Sequence, residues 1–212
     1  MWVRPVRRYP VVKAGEGDGT WVLRGDLLGP QSIVYSFGLG WDISFDLDLI
    51  KRYGCQVFGF EPLPGALRDL ERRDLPANFR LLPYGIGTTD GTVHFDSVDG
   101  GYASLTAEGS ESSGGFLAET RTLGTILNSL GHDHIDVLKM DIEGAEFGLM
   151  DEICGRADAI DQLLIEWHHR GVPQGPAMLR EALAKLDRHF VPYYISPRGF
   201  EHSYISRRLI DA

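Results

Sequence analysis

The sequence predicts an α/β fold: a mostly parallel sheet with helices on both faces and an antiparallel strand at its C-terminal end. Short apolar runs rich in strand-forming residues alternate with segments of helical period, so successive strands are joined through helices. Glycine accounts for 26 of the 212 residues, which favours many tight turns. Two final apolar runs flank a turn at residues 197–199, which is typical of a hairpin.

The first half of the chain has the pattern of two parallel βαβ units, whose crossovers are expected to be right-handed. Strands are predicted at residues 33–37, 56–60 and 79–84. Between them, one helix begins near Ser44 and ends at Gly54, and a second begins at Pro64, since proline is tolerated in a first helical turn. Residues 1–30 are expected to form an irregular N-terminal arm, and residues 31–212 the folded domain.

The alternation of strands and helices is interrupted in the middle of the chain. A short strand is predicted at residues 92–95, and residues 97–117 are expected to form a flexible loop near the substrate because they are rich in glycine and serine. Thr122 is a suitable N-cap for a helix that ends at Gly131. The α/β pattern then returns, with strands predicted at 135–140, 162–167, 191–195 and 204–206, and helices at 144–153 and 176–188.

Composition and charge exclude several classes of protein. The net charge is −9, from 21 lysines and arginines against 30 acids, whereas a nucleic-acid-binding protein normally carries a basic face. No apolar run reaches the roughly 18 residues that a membrane span needs. The two cysteines, Cys55 and Cys154, show no metal-binding spacing and are expected to be reduced thiols. We therefore expect a cytoplasmic protein without nucleic-acid or membrane partners.

Parallel α/β sheets bind ligands at the carboxyl ends of their strands, so the residues that follow each predicted strand are candidate site residues. Gly38 and Gly40 follow the first strand, and Glu61 follows the second, 23 residues beyond Gly38. An acid at about this distance accepts hydrogen bonds from the ribose hydroxyls of nucleoside cofactors. Asp141 and His168 follow two later strands. An ordinary pair of loop glycines with a solvated Glu61 is the alternative.

The charge around the first helix favours one cofactor over others. Asp42, Asp46 and Asp48 surround the start of this helix, and their carboxylates would repel a pyrophosphate bound there. A cationic cofactor meets no such repulsion, which favours S-adenosyl-L-methionine over NAD or ATP. The sequence contains no P-loop motif.

Three segments resemble the FkbM-type family of class I S-adenosylmethionine-dependent methyltransferases: residues 33–46, residues 57–62, and residues 138–146, which read LKMDIEGAE. The resemblance extends in order over about residues 20 to 170. It implies a Rossmann-like sheet of seven strands and O-methylation of a small hydroxylated molecule, such as a sugar or a secondary metabolite. One departure is Ser36, which stands where most class I members have an acid. We assign cofactor binding to Ser36, Gly38, Gly40, Glu61, Pro62, Gly85, Ile86 and Asp141.

Methyl transfer to a hydroxyl needs the nucleophile held in line with the methyl group, and it benefits from a general base. Asp141 and His168 are the candidate catalytic residues, and no metal ligands are assigned. Two alternatives stay open. One is a metal-dependent enzyme or a metal-assisted methyltransferase that uses His132, His134, Asp141 and His168. The other is a nucleoside-binding module without catalysis.

Strand alternation also predicts a buried ion pair. Lys139 and Glu166 lie in successive apolar strands, each two residues before a strand-end polar group, Asp141 and His168 respectively. If the two strands run in matching register, Lys139 and Glu166 pair beneath the site, since an unpaired buried charge is costly. In the alternative, Lys139 reaches an edge and Glu166 is solvated.

Overall fold

A computed structural model describes residues 9–97, 103–105, 115–170 and 174–210 of the chain. None of the helices in these ranges is long and apolar enough to cross a membrane. The strands are β1 (Val12–Ala14), β2 (Trp21–Leu23), β3 (Ile33–Phe37), β4 (Gln56–Phe60), β5 (Phe79–Leu82), β6 (Gly85–Ile86), β7 (Gly91–Ser97), β8 (Ala103–Leu105), β9 (Gly115–Arg121), β10 (Ile135–Met140), β11 (Ile160–Glu166), β12 (Phe190–Ile195) and β13 (Glu201–Ser206). The α-helices are α1 (Ser44–Tyr53), α2 (Pro64–Leu70), α3 (Leu123–Leu130), α4 (Met150–Gly155) and α5 (Gly175–Leu186).

The central sheet has seven strands in the order β12-β13-β11-β10-β3-β4-β5. The neighbours from β11 to β5 pair in parallel, and β13 pairs antiparallel with both β11 and β12. The prediction of a mostly parallel sheet with an antiparallel strand near its C-terminal end is confirmed. Because the chain moves outward from β3 to β5 and then returns to β10, the strand order switches between β3 and β10. Ligands of such sheets bind at this switch point.

Helices cover both faces of this sheet because its strands are apolar on both sides. On one face, Leu138 of β10 belongs to an apolar cluster with Ile126 of α3 and Leu186 of α5. On the other face, Val137 of β10 belongs to a cluster that includes Leu49 of α1. Successive residues of β10 therefore contribute to opposite helical layers, as alternation along a strand requires.

Two predicted helix ends are confirmed. Gly54 ends α1 with a φ of +68°, and Gly131 ends α3 with a φ of +71°, a left-handed conformation that glycine adopts without strain. Thr122 caps α3, since its Oγ1 accepts the backbone N–H of Thr125 at 3.2 Å. The segment after β10 differs from the single helix that the sequence predicted, because a 3₁₀ turn at Ala145–Leu149 precedes α4.

Residues 12–23 do not form the irregular arm that the sequence predicted. β1 and β2 pair as an antiparallel hairpin. Trp21 and Leu23 are buried in the same apolar cluster as Leu49 of α1, and Ser203 of β13 donates a hydrogen bond to the carbonyl of Val22 at 2.6 Å. Each strand has three residues, which is too short for alternation to reveal, and contacts with remote residues hold them in place.

A second sheet has four strands in the order β6-β9-β7-β8, and the sequence predicted only part of it. The strand expected at residues 92–95 is confirmed within β7, which pairs antiparallel with β9. β9 was not predicted. The flexible loop expected at residues 97–117 therefore includes strand residues at both of its ends, and its residues 98–102 and 106–114 lie outside the described ranges.

The predicted ion pair between Lys139 and Glu166 is wrong. The register of β10 and β11 places Lys139 beside Leu164, two residues away from the assumed partner. Glu166 instead lies beside Glu201 of β13. The Nζ atom of Lys139 donates to the carbonyl oxygen of Gly38 at 2.9 Å.

Candidate active site

A cavity of about 300 Å³ opens at the carboxyl ends of β3, β4 and β10. Residues that the sequence analysis did not assign to a site contribute to its wall, among them Trp21, Phe45, Phe95 and Lys139. Of the residues expected at separate strand ends, Gly38, Gly40, Glu61 and Asp141 meet in this cavity, whereas His168 does not line it. Of those assigned to the cofactor, all except Ser36 line it: Gly38, Gly40, Glu61, Pro62, Gly85, Ile86 and Asp141.

The glycine turn after β3 brings two strands together beside the cavity. Gly38 has a φ of +75°, and a Cβ atom there would overlap the backbone carbonyl oxygen of Asp141. Gly40 has a φ of +54°, but a Cβ atom there would meet no other protein atom within 4 Å. The neighbouring strand therefore requires glycine at position 38, whereas Gly40 leaves space that a ligand can occupy.

Glu61 is held in a fixed orientation at the end of β4. Its side chain is buried, its Oε2 accepts the N–H of Gly40 at 2.7 Å, and its Oε1 accepts the N–H of Leu63 at 2.7 Å. Burial raises the pKa of Glu61, and these two backbone hydrogen bonds counteract that effect. Each carboxylate oxygen has a second lone pair, so Glu61 can still accept hydrogen bonds from a bound molecule.

Three buried polar side chains lie beneath the glycine turn. Lys139, which donates to Gly38, also lies 4.0 Å from Oδ2 of Asp141. Ser36 is paired in register with Lys139 across β3 and β10. Asp46, on α1, is 1% exposed. Burial raises the pKa of Asp46 to about 6, although the charge of Lys139 lowers it.

His168 lies among three carboxylates at the ends of β10 and β11, which we call the His168 cluster. Nδ1 of His168 is 2.7 Å from Oε1 of Glu146, whose side chain is fully buried. Nε2 is 3.5 Å from Oε2 of Glu143 and 3.8 Å from Oδ1 of Asp141. Asp141 and Glu143 also line the cavity, so the cluster opens onto it. The two predicted catalytic residues are thus neighbours, joined by contacts that sequence spacing did not reveal.

The backbone after Asp141 turns sharply to present these carboxylates. Glu143 has a φ of +53° and is, among the described residues, the single non-glycine residue with a positive φ. Gly144 follows with a φ of +101°. A left-handed conformation costs a non-glycine residue about 1–2 kcal/mol, so surrounding contacts must hold it. One such contact is the N–H of Ile142, which donates to Oε1 of Glu146 at 3.2 Å.

The charges of the cluster set the protonation state of His168. Burial lowers the pKa of His168, but the hydrogen bond to Glu146 and the charges of Glu146, Glu143 and Asp141 outweigh burial and raise it to about 9. Burial raises the pKa of Glu143, and the opposing effect of His168 does not cancel this shift. At neutral pH His168 is therefore an imidazolium, and the neighbouring carboxylates are the groups that can accept a proton.

The structure divides the four residues of the metal alternative: His134 lies in a group of possible ligands with Asp136 and Asp161, and Asp141 and His168 lie in another with Glu143. Nδ1 of His132 lies 2.7 Å from the hydroxyl of Tyr35, and Nε2 of His134 lies 3.2 Å from a carboxylate oxygen of Asp161. At the cavity, the ligand atoms that lie within 4.8 Å of one another belong to Asp141, Glu143 and His168.

Comparison with known proteins identifies the family. Residues 36–190 match the model of the methyltransferase FkbM domain. The chain belongs to this family. It is 30% identical over 156 residues to the human (Homo sapiens) protein named Probable methyltransferase-like protein 24, a match that covers 71% of this chain and 36% of that protein. The protein of the same name from Rattus norvegicus is 30% identical over 142 residues, which cover 65% of this chain and 33% of that protein. The chain therefore spans about a third of the length of these curated relatives.

Solved structures show the same fold. The FkbM methyltransferase from Methylobacillus flagellatus KT aligns with a TM-score of 0.54 at 18% identity, over 86% of this chain and 44% of that one. SMU.1697c from Streptococcus mutans, solved in complex with SAH, aligns with a TM-score of 0.52 at 13% identity, over 86% of this chain and 92% of that one. The predicted class I methyltransferase fold is confirmed, and S-adenosyl-L-methionine is the methyl donor of that class.

Proposed function

We propose that the protein transfers a methyl group from S-adenosyl-L-methionine to a hydroxyl group of a small molecule, such as a sugar or a secondary metabolite. One observation carries the proposal: a single cavity joins the Gly38–Gly40 turn and the buried Glu61 to Asp141 and Glu143 of the His168 cluster. A site for the donor and a group of proton acceptors therefore lie at the same edge of the sheet, as methyl transfer requires.

The donor side of the cavity suits a nucleoside with a cationic sulfur. The free lone pairs of Glu61 can accept hydrogen bonds from the two ribose hydroxyls. Pro62 and Ile86 offer apolar surface to an adenine ring, and Gly40 presents no side chain in its way. The carboxylates that line the same cavity favour a cation over a pyrophosphate.

The acceptor side suits a hydroxyl that must lose its proton. When bound, S-adenosyl-L-methionine supplies an electrophilic methyl group, and the residues of this chain orient the hydroxyl and take up its proton. Asp141 and Glu143 line the cavity and can each accept a hydrogen bond from that hydroxyl. Because His168 is protonated at neutral pH, we assign proton acceptance to these carboxylates and the orientation of both to His168. His168 itself becomes a base only near and above pH 9.

The charge of the chain favours a small acceptor over a nucleic acid. A net charge of −9, together with the acids of the cavity, would repel a phosphate backbone. An uncharged polyol meets no such repulsion, and its hydroxyls are natural hydrogen-bond donors to carboxylates.

Transfer of a labelled methyl group tests the proposal. The protein is incubated with methyl-labelled S-adenosyl-L-methionine and a cell extract separated into small molecules, RNA and protein. We expect label in the small-molecule fraction, and we expect Asp141→Asn to lower kcat by about 10²–10⁴-fold, the usual contribution of a positioned acid or base. His189→Gln, just after α5, is the control and should keep full activity. Label in RNA or protein alone, or in no fraction, contradicts the proposal.

A metal-assisted methyl transfer is the second candidate, and one observation favours it. Asp141, Glu143 and His168 offer oxygen and nitrogen ligand atoms within 4.8 Å of one another. The contact of His168 with Glu146 is also the arrangement that commonly orients a metal-ligating imidazole. A divalent cation there would hold the acceptor hydroxyl and favour its ionisation. Chelation with EDTA, followed by addition of Mg²⁺ or Mn²⁺, decides the matter: activity that survives EDTA excludes this candidate.

A further inference from the structure

A second cavity of about 200 Å³ lies beside the larger cavity at the carboxyl ends of β3, β4 and β10, which we call the first cavity. The two share Ile86 and Ala145 in their walls. Glu143, a proposed proton acceptor, lines the first cavity, and the next residue, Gly144, lines the second. A molecule whose hydroxyl contacts Glu143 can therefore extend into the second cavity.

The wall of the second cavity is apolar. Phe147, Leu149 and Met178 contribute large side chains, and none of the described residues that line the cavity carries a charge. Among these residues, Thr88 alone has a polar side chain. Methionine side chains are flexible and polarisable, so they adapt to ligands of different shapes. A polar group would lose its hydration here for few new partners, whereas an apolar group would be stabilised by leaving water.

Two glycines leave space in the second cavity. A Cβ atom at Gly144 would meet no protein atom within 4 Å. A Cβ atom at Gly148 would contact Cγ2 of Thr88, another residue of the wall, at 3.5 Å, which is an ordinary van der Waals distance. A longer side chain at position 148 would therefore occupy part of the cavity. Apolar cavities of about 150 Å³ accept a molecule of the size of benzene, so this volume suits about six carbon atoms.

We propose that the second cavity binds an apolar substituent of the methyl acceptor, such as an alkyl chain of about six carbons or one aromatic ring. This inference rests on the proposed function. The reacting hydroxyl contacts Asp141 or Glu143 in the first cavity, and the substituent extends past Gly144 into the second. The acceptor is then an amphipathic molecule rather than a free sugar. Adenine is the poorer occupant, because its ring nitrogens and amino group need hydrogen-bond partners that an apolar wall does not offer.

Two alcohols of equal length test the second cavity. 1-Hexanol has one hydroxyl and an apolar end, whereas hexane-1,6-diol carries a second hydroxyl at that end. Each is titrated into the protein saturated with S-adenosylhomocysteine, and the shifts of the backbone amide signals in NMR give the affinity and the place of binding. We expect 1-hexanol to bind at least about tenfold more tightly, because the second hydroxyl of the diol would lose its hydration in the cavity. The amide signals of Ala145 and Gly148 should shift most.

Gly148→Leu places a side chain in the second cavity, and Gly155→Leu is the matched control. Gly155 is the exposed last residue of α4, and a Cβ atom there has open space around it. We expect Gly148→Leu to weaken 1-hexanol by at least about tenfold, because several methylene groups lose their place in the cavity. Its affinity for S-adenosylhomocysteine should change less than about twofold, and Gly155→Leu should change neither affinity. If Gly148→Leu fails to fold, the comparison of the two alcohols on the unmodified protein decides.

Transfer of a labelled methyl group links the second cavity to the acceptor. With the cell extract, we expect 1-hexanol to inhibit transfer and the labelled product to be retained on a reversed-phase column. Label confined to unretained products, equal affinity for the two alcohols, or unchanged binding of 1-hexanol to Gly148→Leu overturns the inference; binding of S-adenosylhomocysteine then leaves the proposed function standing. Failure of the unmodified protein to bind S-adenosylhomocysteine refutes the proposed function and the inference with it.

Discussion

The raised pKa of His168 predicts how much this residue stabilises the folded chain at each pH. A group whose pKa is higher in the folded chain than in the unfolded chain stabilises the fold while it is protonated. For His168 the pKa rises from 6.5 to about 9, so its contribution is fully present below pH 6.5 and is lost as the pH rises through 9. One pKa unit corresponds to about 1.4 kcal/mol, which gives about 3 kcal/mol at pH 6, about 1.4 kcal/mol at pH 8 and almost nothing at pH 10.

Replacement of His168 by glutamine removes this contribution. We expect His168→Gln to lower the free energy of unfolding by about 3 kcal/mol more at pH 6 than at pH 10, because any loss of packing is the same at every pH. The unmodified protein is the reference at each pH, because burial and the charge of Asp141 raise the pKa of Glu166 to about 7, so that Glu166 titrates in the same pH range. Urea unfolding at pH 6, 8 and 10 in the presence of EDTA measures the difference. A difference that does not change with pH refutes the reasoning.

Three further substitutions, and a control at Gly131, test individual parts of the site. Glu61→Ala should weaken S-adenosylhomocysteine binding by about 1.5–3 kcal/mol in calorimetry, and an unchanged affinity contradicts its assignment to the ribose. Gly40→Ala and Gly131→Ala, both at left-handed positions with free space around a Cβ, should each cost about 1 kcal/mol of stability, but Gly40→Ala alone should weaken cofactor binding. Glu143→Gly should change the free energy of unfolding by less than about 1 kcal/mol, because glycine adopts the left-handed conformation of this position without strain, whereas the rate of methyl transfer should fall. A much larger loss of stability would mean that the side chain of Glu143 holds the fold.

The strands that could be predicted from the sequence are those with long apolar runs. β3, β4 and β10 are largely buried on both faces, and each is a run of mostly apolar residues that is followed by Gly38, Glu61 or Asp141 respectively. β2 and β9 could not be found in this way. β2 has only three residues, and in β9 the apolar Leu117 occupies an exposed position, so neither sequence alternates between apolar and polar residues, and both strands depend on pairing with remote strands.

The location of the site was more predictable than its internal contacts. In a parallel sheet the strand ends meet at one edge whatever the register, so Gly38, Glu61 and Asp141 could be placed together in advance. The pairing of Lys139 with Glu166 failed because it depended on register, and a shift of two residues separates the two charges. Register follows from the packing of whole helical layers against the sheet, which no single strand encodes.

Ser36 shows why contacts between buried side chains cannot be predicted from the spacing of residues in the sequence. Most class I members carry an acid there, and Ser36 departs from them. Asp46, ten residues later on α1, supplies a buried carboxylate to the same space beside Lys139. A second acid at position 36 would face this carboxylate in a buried environment, and burial already raises the pKa of Asp46 to about 6. Repulsion between the two carboxylates would raise it further and neutralise one of them. A serine on the strand and an acid on the helix therefore retain one buried negative charge, carried by a different element of the fold.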